Sequence, residues 1–99
     1  MTWSVTVRPA AAADLAEAKA WYDDKRPGLG DEFLAAIGDA FTRLEQNPEQ
    51  FPFYYRDFRR VLVERFPYKV FFRTHGRSDA IVFRILHSAS DHRRRLRGV

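Results

Sequence analysis

The sequence of 99 residues contains no cysteine, which excludes disulfide bonds and thiolate metal sites and makes a reducing compartment the default expectation. No stretch approaches the ~20 consecutive apolar residues that a membrane-spanning helix needs. Residues 1–9 also lack the basic segment and the apolar run of a signal peptide. We therefore expect a cytoplasmic protein with no membrane partner.

The sequence also predicts no metal site and no phosphate-binding loop. The histidines His75, His87 and His92 form no helical pair, and no acidic cluster lies beside them in the sequence, so no metal site is predicted. Gly28 and Gly30 lead into an acidic helix start, which would repel a phosphate group. We expect no cofactor.

The residues that are present indicate one small globular domain over residues 1–99. Aromatic residues make up 15% of the chain, and nine of them are phenylalanine, so they supply much of a single modest core. The charges are divided unevenly. Residues 1–50 hold five Lys/Arg against nine Asp/Glu, whereas residues 51–99 hold twelve against four. This asymmetry predicts a basic surface in the second half, suited to nucleic acid or to an acidic protein.

The first half predicts a strand and a helical hairpin. Residues 3–8 alternate between apolar and polar, as expected for a strand with one buried face, and Pro9 can open the helix that follows. That helix extends from Ala10 to about Lys25, and residues 26–30 form a Pro- and Gly-containing turn. Asp31 is the predicted N-cap of a second helix that ends near Gln46. A turn this short predicts antiparallel helices.

The second half predicts a loop, three antiparallel strands and a tail. Residues 48–58 read as a loop, and the strands lie at about 60–65, 68–74 and 80–87, with residues 75–79 as a hairpin loop. Residues 88–99 form a basic tail. The predicted fold is α+β, with the helical hairpin packed on one face of a four-stranded sheet. Alternation places Lys69, Phe71 and Arg73 on the exposed face of that sheet.

An ordered set of residues gives the sequence a resemblance to a known family. The set comprises Asp14-Leu15, Trp21-Tyr22, Pro27-Gly28-Leu29-Gly30 with Phe33, Asn47-Pro48, Arg59-Arg60, Phe66-Pro67-Tyr68 and Arg84-Ile85-Leu86-His87. In this order the pieces resemble the RelE/ParE toxin superfamily, and they cover almost the whole chain. The resemblance implies the toxin of a type II toxin–antitoxin system, partnered by a cognate antitoxin that is ParD-like or similar.

The resemblance implies two alternative cellular targets and does not decide between them. RelE-like members cleave mRNA on the ribosome without a metal, whereas ParE-like members inhibit DNA gyrase and are not known as nucleases. Many members, often called plasmid stabilisation proteins, have no established target. A third alternative is a non-toxic protein that only binds the antitoxin and acts as a co-repressor at its operator.

The tail favours the ParE-like alternative, and hence a gyrase inhibitor that causes growth arrest rather than an enzyme. RelE-like nucleases carry a catalytic Tyr after the last strand, but residues 88–99 contain none. His92 is the one tail residue that could replace such a Tyr as an acid. If the chain is nevertheless RelE-like, its candidate catalytic residues are Arg60, Lys69, Arg73, Arg84 and His87.

Two surfaces are assigned from the pattern. The candidate functional surface comprises Arg65, Arg73, Arg84, His87, Arg93 and Arg94. We expect replacement of Arg84 and His87 together by Ala to abolish toxicity without unfolding the chain. The aromatic patch at residues 51–55 either caps the core or docks the antitoxin. Its candidate antitoxin contacts are Phe53, Tyr54 and Tyr55.

Overall fold

The computed structural model describes residues 2–99, and Met1 lies outside them. The chain forms an α+β fold with three α-helices and a five-stranded sheet. The strands are β1 (Ser4–Val7), β2 (Phe53–Tyr55), β3 (Phe58–Leu62), β4 (Tyr68–His75) and β5 (Asp79–His87). The helices are α1 (Pro9–Lys25), α2 (Leu29–Gln46) and α3 (His92–Leu96), and a short 3₁₀ turn occupies Pro48–Gln50.

The sheet is mixed, and its order is β1-β5-β4-β3-β2. The three strands predicted in the second half pair antiparallel in chain order, β3 with β4 and β4 with β5. In contrast, β1 pairs parallel to β5, with Ser4 opposite Asp79 and Val7 opposite Val82. The connection between β1 and β5 therefore contains the whole helical hairpin and the rest of the sheet. The first and last strands of the chain lie side by side.

The prediction of four strands was wrong by one. Residues 53–55, assigned to a loop, form the edge strand β2, which pairs with β3 through Phe53 opposite Arg59 and Tyr55 opposite Phe58. Arg56 adopts a positive φ of 52°, and this left-handed residue lets the chain reverse within a tight turn. The turn carries no glycine, so the usual sequence signal for such a hairpin is missing.

The helical hairpin is confirmed, with one correction at the start of its second helix. α2 begins at Leu29, so Asp31 lies in its first turn instead of capping it, and Gly28 is the N-cap residue with a φ of 88°. Asp23 of α1 instead accepts a hydrogen bond from the backbone N–H of Gly30 at 2.7 Å. A carboxylate from the preceding helix thus satisfies one of the free N–H groups at the start of α2.

The two helices cover one face of the sheet, which we call the helix-side face. Phe33, Ile37 and Leu44 of α2 are buried there with Val70 and Phe72 of β4, as the predicted alternation requires. Tyr22 and Phe66 pack edge to face in the same core, with ring centroids 5.0 Å apart. This layer positions α1 directly against β5.

The opposite face of the sheet, the outer face, is not the open surface that was predicted. Phe71 is fully buried there in a second, smaller core with Phe58, Phe83, Leu86 and Leu96. Leu96 comes from α3, because the predicted tail folds back over the sheet. Asp91 caps this short helix by accepting a hydrogen bond from the N–H of Arg94 at 3.3 Å. Within residues 2–99, no helix is long and apolar enough to cross a membrane.

Candidate functional site

An ion pair fixes α1 to β5 at the centre of the molecule. Arg84 donates two hydrogen bonds to the carboxylate of Asp14, from Nε at 2.8 Å and from Nη2 at 2.9 Å. The same carboxylate accepts the backbone N–H of Ile85 at 2.9 Å. The pKa of Arg84 lies above its ordinary value, mainly because of the hydrogen bonds that it donates to Asp14. The side chains of Arg84 and Asp14 are only 17% and 12% exposed.

A break in the strand register lies next to Arg84. Along β4 and β5, Phe71 lies opposite Arg84 but Phe72 lies opposite Val82, so Phe83 is an extra residue in β5. Such a bulge changes the direction of the side chains that follow it. Sequence alternation alone could not reveal it, because no glycine or proline marks the position.

A groove of about 480 Å³ lies beside this ion pair, between α1 and the ends of β4 and β5. Its lining combines carboxylates, aromatic rings and two basic side chains, and it includes Asp14, Glu17, Trp21, Tyr22, Tyr68, His87 and Arg95. Burial raises the pKa values of Tyr22 and Tyr68, and nearby carboxylates add to the effect at Tyr68. Both phenols are therefore protonated at neutral pH and can donate a hydrogen bond.

His87 lies at the mouth of the groove. Its ring packs edge to face on Tyr68 with centroids 5.3 Å apart, and its Nδ1 accepts a hydrogen bond from the N–H of Ala89 at 3.0 Å. This bond requires an unprotonated Nδ1, so the proton of the neutral ring is assigned to Nε2. His87 is exposed, and the Nε2–H remains available to a partner.

His92 has a different environment. It is buried against Phe71 and Tyr54, with ring centroids 4.9 and 6.0 Å away, and its Nε2 lies 2.9 Å from the carbonyl oxygen of His87. A carbonyl can only accept, so Nε2 must donate its proton to it. The ring thus fastens α3 to the end of β5 and is shielded from a substrate in solvent.

Guanidinium groups stack on tyrosine rings along the outer face. Arg60 lies over Tyr54 with 4.2 Å between its Cζ and the ring centroid. Arg93 of α3 lies 5.9 Å from the rings of both Tyr54 and Tyr55, and Arg56 lies 5.0 Å from Tyr55. The structure therefore brings basic residues of the β2–β3 hairpin and of the tail to one place.

The other predicted cations contact different neighbours. Arg73 donates to Asp57 at 2.7 Å and stacks on Phe58 and Phe83. Arg65 pairs with Glu32 at 3.0 Å on the surface, Lys69 is half-buried, and Arg94 is exposed. Of the five candidate nuclease residues, only His87 lines the groove. Arg60, Arg73 and Arg84 are each held by a different neighbour.

Exposed aromatic side chains identify two further positions. Phe53, on the edge strand β2, is 61% exposed, and its ring lies 4.0 Å from the Cζ of Arg59. Tyr54 and Tyr55 are half-buried against the outer-face core. Trp21 of α1 is 56% exposed and lines the groove.

Comparison with known proteins places this geometry in a family. No curated protein matches the chain. Among solved structures, the chain is similar to a protein described as the chromosomal ParDE toxin–antitoxin system from P. aeruginosa, with 25% identity and a TM-score of 0.76. The match covers 86% of this chain and 95% of the other. The family model described as the ParE toxin of the type II toxin–antitoxin system parDE matches residues 5–92. The chain therefore belongs to the ParE toxin family.

Proposed function

We propose that this chain inhibits DNA gyrase in the bacterial cytoplasm whenever its antitoxin is absent. The antitoxin is a cognate, ParD-like protein that covers the toxin and holds it inactive. His87, with its free Nε2–H at the mouth of the groove, and the exposed cations Arg65, Arg93 and Arg94 form the surface offered to the target. Arg73 and Arg84 shape this surface through their contacts with Asp57 and Asp14.

The different contacts of the candidate nuclease residues support the choice of target. Cleavage of RNA requires a base for the 2′-hydroxyl, cations at the phosphate and an acid for the leaving oxygen, all around one phosphorus atom. Here Arg84 is engaged by Asp14, Arg73 by Asp57, and Arg60 by the ring of Tyr54. Only His87 of the five lines the groove, which argues for inhibition by binding.

The tail supports the same conclusion. Residues 88–99 contain no Tyr, and the residue that would have to replace it, His92, is buried. Its Nε2 proton is committed to the carbonyl oxygen of His87. A proton held in this way serves the fold of the tail and is not delivered to a leaving group.

The antitoxin surface is proposed at β2. Phe53 exposes most of its ring on an edge strand, beside the half-buried Tyr54 and Tyr55. An edge strand has unpaired backbone groups, and an exposed aromatic ring is a frequent anchor of protein interfaces. An extended antitoxin segment can pair with these backbone groups and bury the ring of Phe53 at the same time.

Expression of the chain in a bacterium, alone and with its antitoxin, tests the target. We expect growth arrest with induction of the DNA-damage response and intact mRNA, reversed by the antitoxin. Purified toxin should inhibit supercoiling by purified gyrase. Rapid cleavage of translated mRNA would instead support the RelE-like nuclease. Normal growth with folded protein would leave only the non-toxic, antitoxin-binding alternative.

A further inference from the structure

One group of arginines on the outer face has no counter-ion and a fixed position. We define the stacked-arginine patch as Arg56, Arg60 and Arg93 with the two rings on which they lie, Tyr54 and Tyr55. The tyrosines are half-buried against Phe71 and the outer-face core, so their rings are immobile supports. Each guanidinium is therefore held at one position on the surface.

The arginines of the patch are among the cations that form no ion pair within the described residues. Over residues 2–99, ion pairs engage Arg26, Arg65, Arg73 and Arg84, but none engages a member of the patch. Arg94 and Arg95 are also exposed on α3. A cluster of unpaired like charges is costly to hold together and is relieved when an anion binds.

We propose that the stacked-arginine patch binds the phosphate backbone of duplex DNA, a binding activity beyond gyrase inhibition. A guanidinium that lies over an aromatic ring still has its N–H edges free. Two of those N–H groups can bind two oxygens of one phosphate, and the stacking fixes the orientation of the guanidinium. Arginines from two separate elements, the β2–β3 hairpin and α3, supply several contacts along one strand of the duplex.

The geometry favours a duplex over a single strand. Proteins that hold single-stranded nucleic acid use open aromatic faces on which bases stack. In the patch, Arg60 already covers the ring of Tyr54, and Arg56 and Arg93 lie over Tyr55. A base would have to displace these arginines, whereas a phosphate binds to them directly. Contacts of this kind fix position on the duplex without reading its sequence.

The composition of the patch also favours DNA over an acidic protein. Protein interfaces place buried apolar or aromatic anchors at their centres and exclude charge there. At the centre of the patch, the tyrosine rings are half-buried and lie beneath guanidiniums, so the surface offered is cationic. Interfaces with DNA are polar and strongly positive, which is what the patch presents.

Fluorescence anisotropy with the full chain and a labelled DNA duplex tests the proposal, in the absence of gyrase and antitoxin. Affinity is measured over salt concentrations of about 50 to 200 mM, where released counter-ions make log K fall linearly with log salt. The test variant is Arg60→Gln with Arg93→Gln. We expect it to lower the steepness of the salt dependence by about two, or about one for each lost phosphate contact.

The matched control is Arg26→Gln with Arg77→Gln, which removes the same net charge. Arg26 lies in the turn between α1 and α2, and Arg77 lies in the β4–β5 loop, at the opposite end of β5 from α3. The control should leave the salt dependence close to that of the unmodified chain. An equal loss in both variants would show that only net charge matters and would overturn the patch as a site.

Three other results would also overturn the proposal. These are no binding to the duplex at the lowest salt, tighter binding to a single strand of the same length, and equally tight binding to polyglutamate, which would indicate an acidic protein partner.

If circular dichroism shows that the glutamine variant is unfolded, Arg60→Lys with Arg93→Lys replaces it. This variant keeps the charge but loses the planar fork, so affinity should fall while the salt dependence stays the same. Unchanged affinity would overturn the proposal. Because gyrase is absent, these results are independent of the proposed target.

Discussion

Asp14 and Arg84 are separated by 70 positions in the sequence and meet in a two-bond ion pair between α1 and β5. Asp14 also accepts the N–H of Ile85, which lies beyond the last β5 residue paired with β1. One carboxylate therefore satisfies three donors from one strand. Asp14 also lines the groove, as does His87.

Replacement of Arg84 by Ala should lower the free energy of unfolding by about 2 kcal/mol or more. The cost lies between that of an exposed pair, at most about 1 kcal/mol, and that of a buried pair broken on one side, about 3–5 kcal/mol. Urea denaturation measures it. The control is Arg65→Ala, which breaks the exposed pair with Glu32 and should cost less than about 1 kcal/mol. Equal losses would contradict the structural role of Asp14–Arg84.

The same contact changes the design of the toxicity experiment. The sequence led us to expect that Arg84 and His87 could be replaced together without unfolding the chain. Loss of Arg84 leaves the shielded carboxylate of Asp14 without its cation. A loss of toxicity in the double variant could therefore come from lower stability as well as from a lost contact with the target. His87 is exposed and can be replaced alone.

His87→Ala should weaken gyrase inhibition while the chain stays folded, because it removes the free Nε2–H at the groove. We expect the concentration needed for half-inhibition to rise roughly tenfold, which corresponds to about 1.4 kcal/mol of binding free energy. A supercoiling assay with purified gyrase measures it. His75→Ala, an exposed histidine at the end of β4, is the control. Equal potency of all three proteins would place the target surface elsewhere.

Phe53→Ser should weaken the complex with the antitoxin. An exposed aromatic anchor contributes about 2 kcal/mol or more when its partner buries it, so the dissociation constant should rise by a factor of about 30. Titration calorimetry with purified antitoxin measures the change. Leu62→Ser is a suitable control, since Leu62 is similarly exposed, at 57%, on the neighbouring strand β3. A larger effect of Leu62→Ser would move the antitoxin surface to β3.

Acid should destabilise the contact between α1 and the start of α2 through Asp23. The hydrogen bond from Lys19, and then the one from the Gly30 N–H, hold the pKa of Asp23 below its ordinary value of 3.8. A carboxyl whose pKa is lowered by folding stabilises the fold fully above its unfolded value, and this contribution is lost as the pH falls through the lower, folded value. Stability should therefore fall below about pH 3.8.

Asp23→Asn tests this dependence, because the amide cannot titrate but still accepts the Gly30 N–H. Unfolding measured from neutral pH down to strongly acidic pH should give a flatter curve for the variant than for the unmodified chain. Asp39→Asn, at an exposed position of α2, should leave the curve unchanged. The role of Asp23 would be refuted by parallel curves for all three proteins.

Local patterns predicted the elements whose signals lie within a few residues. Pro9 opens α1, Asn47 and Pro48 end α2, and period-two alternation places Val70 and Phe72 in the helix-side core. These features depend on backbone preferences and on one buried face, which neighbouring residues reveal. The ordered motifs also indicated the family that the matches later established.

Features that depend on distant contacts could not be predicted in this way. β2 exists because β3 is beside it, and its turn uses Arg56 at positive φ where a glycine would have been the signal. The burial of Phe71 requires the return of α3, and the ion pair of Arg84 requires a carboxylate in α1. A single sequence records these side chains but not the partners that determine their surroundings.

The parallel pairing of β1 with β5 has a consequence for the timing of folding during synthesis. The ribosome makes residues 4–7 long before residues 79–82, which are their strand partner in the described part of the chain. Pairings so distant in sequence form slowly and late, since a long loop must close before any contact is gained. The sheet of the nascent toxin therefore stays open at one edge, and Asp14 lacks its cation, until β5 has been synthesised.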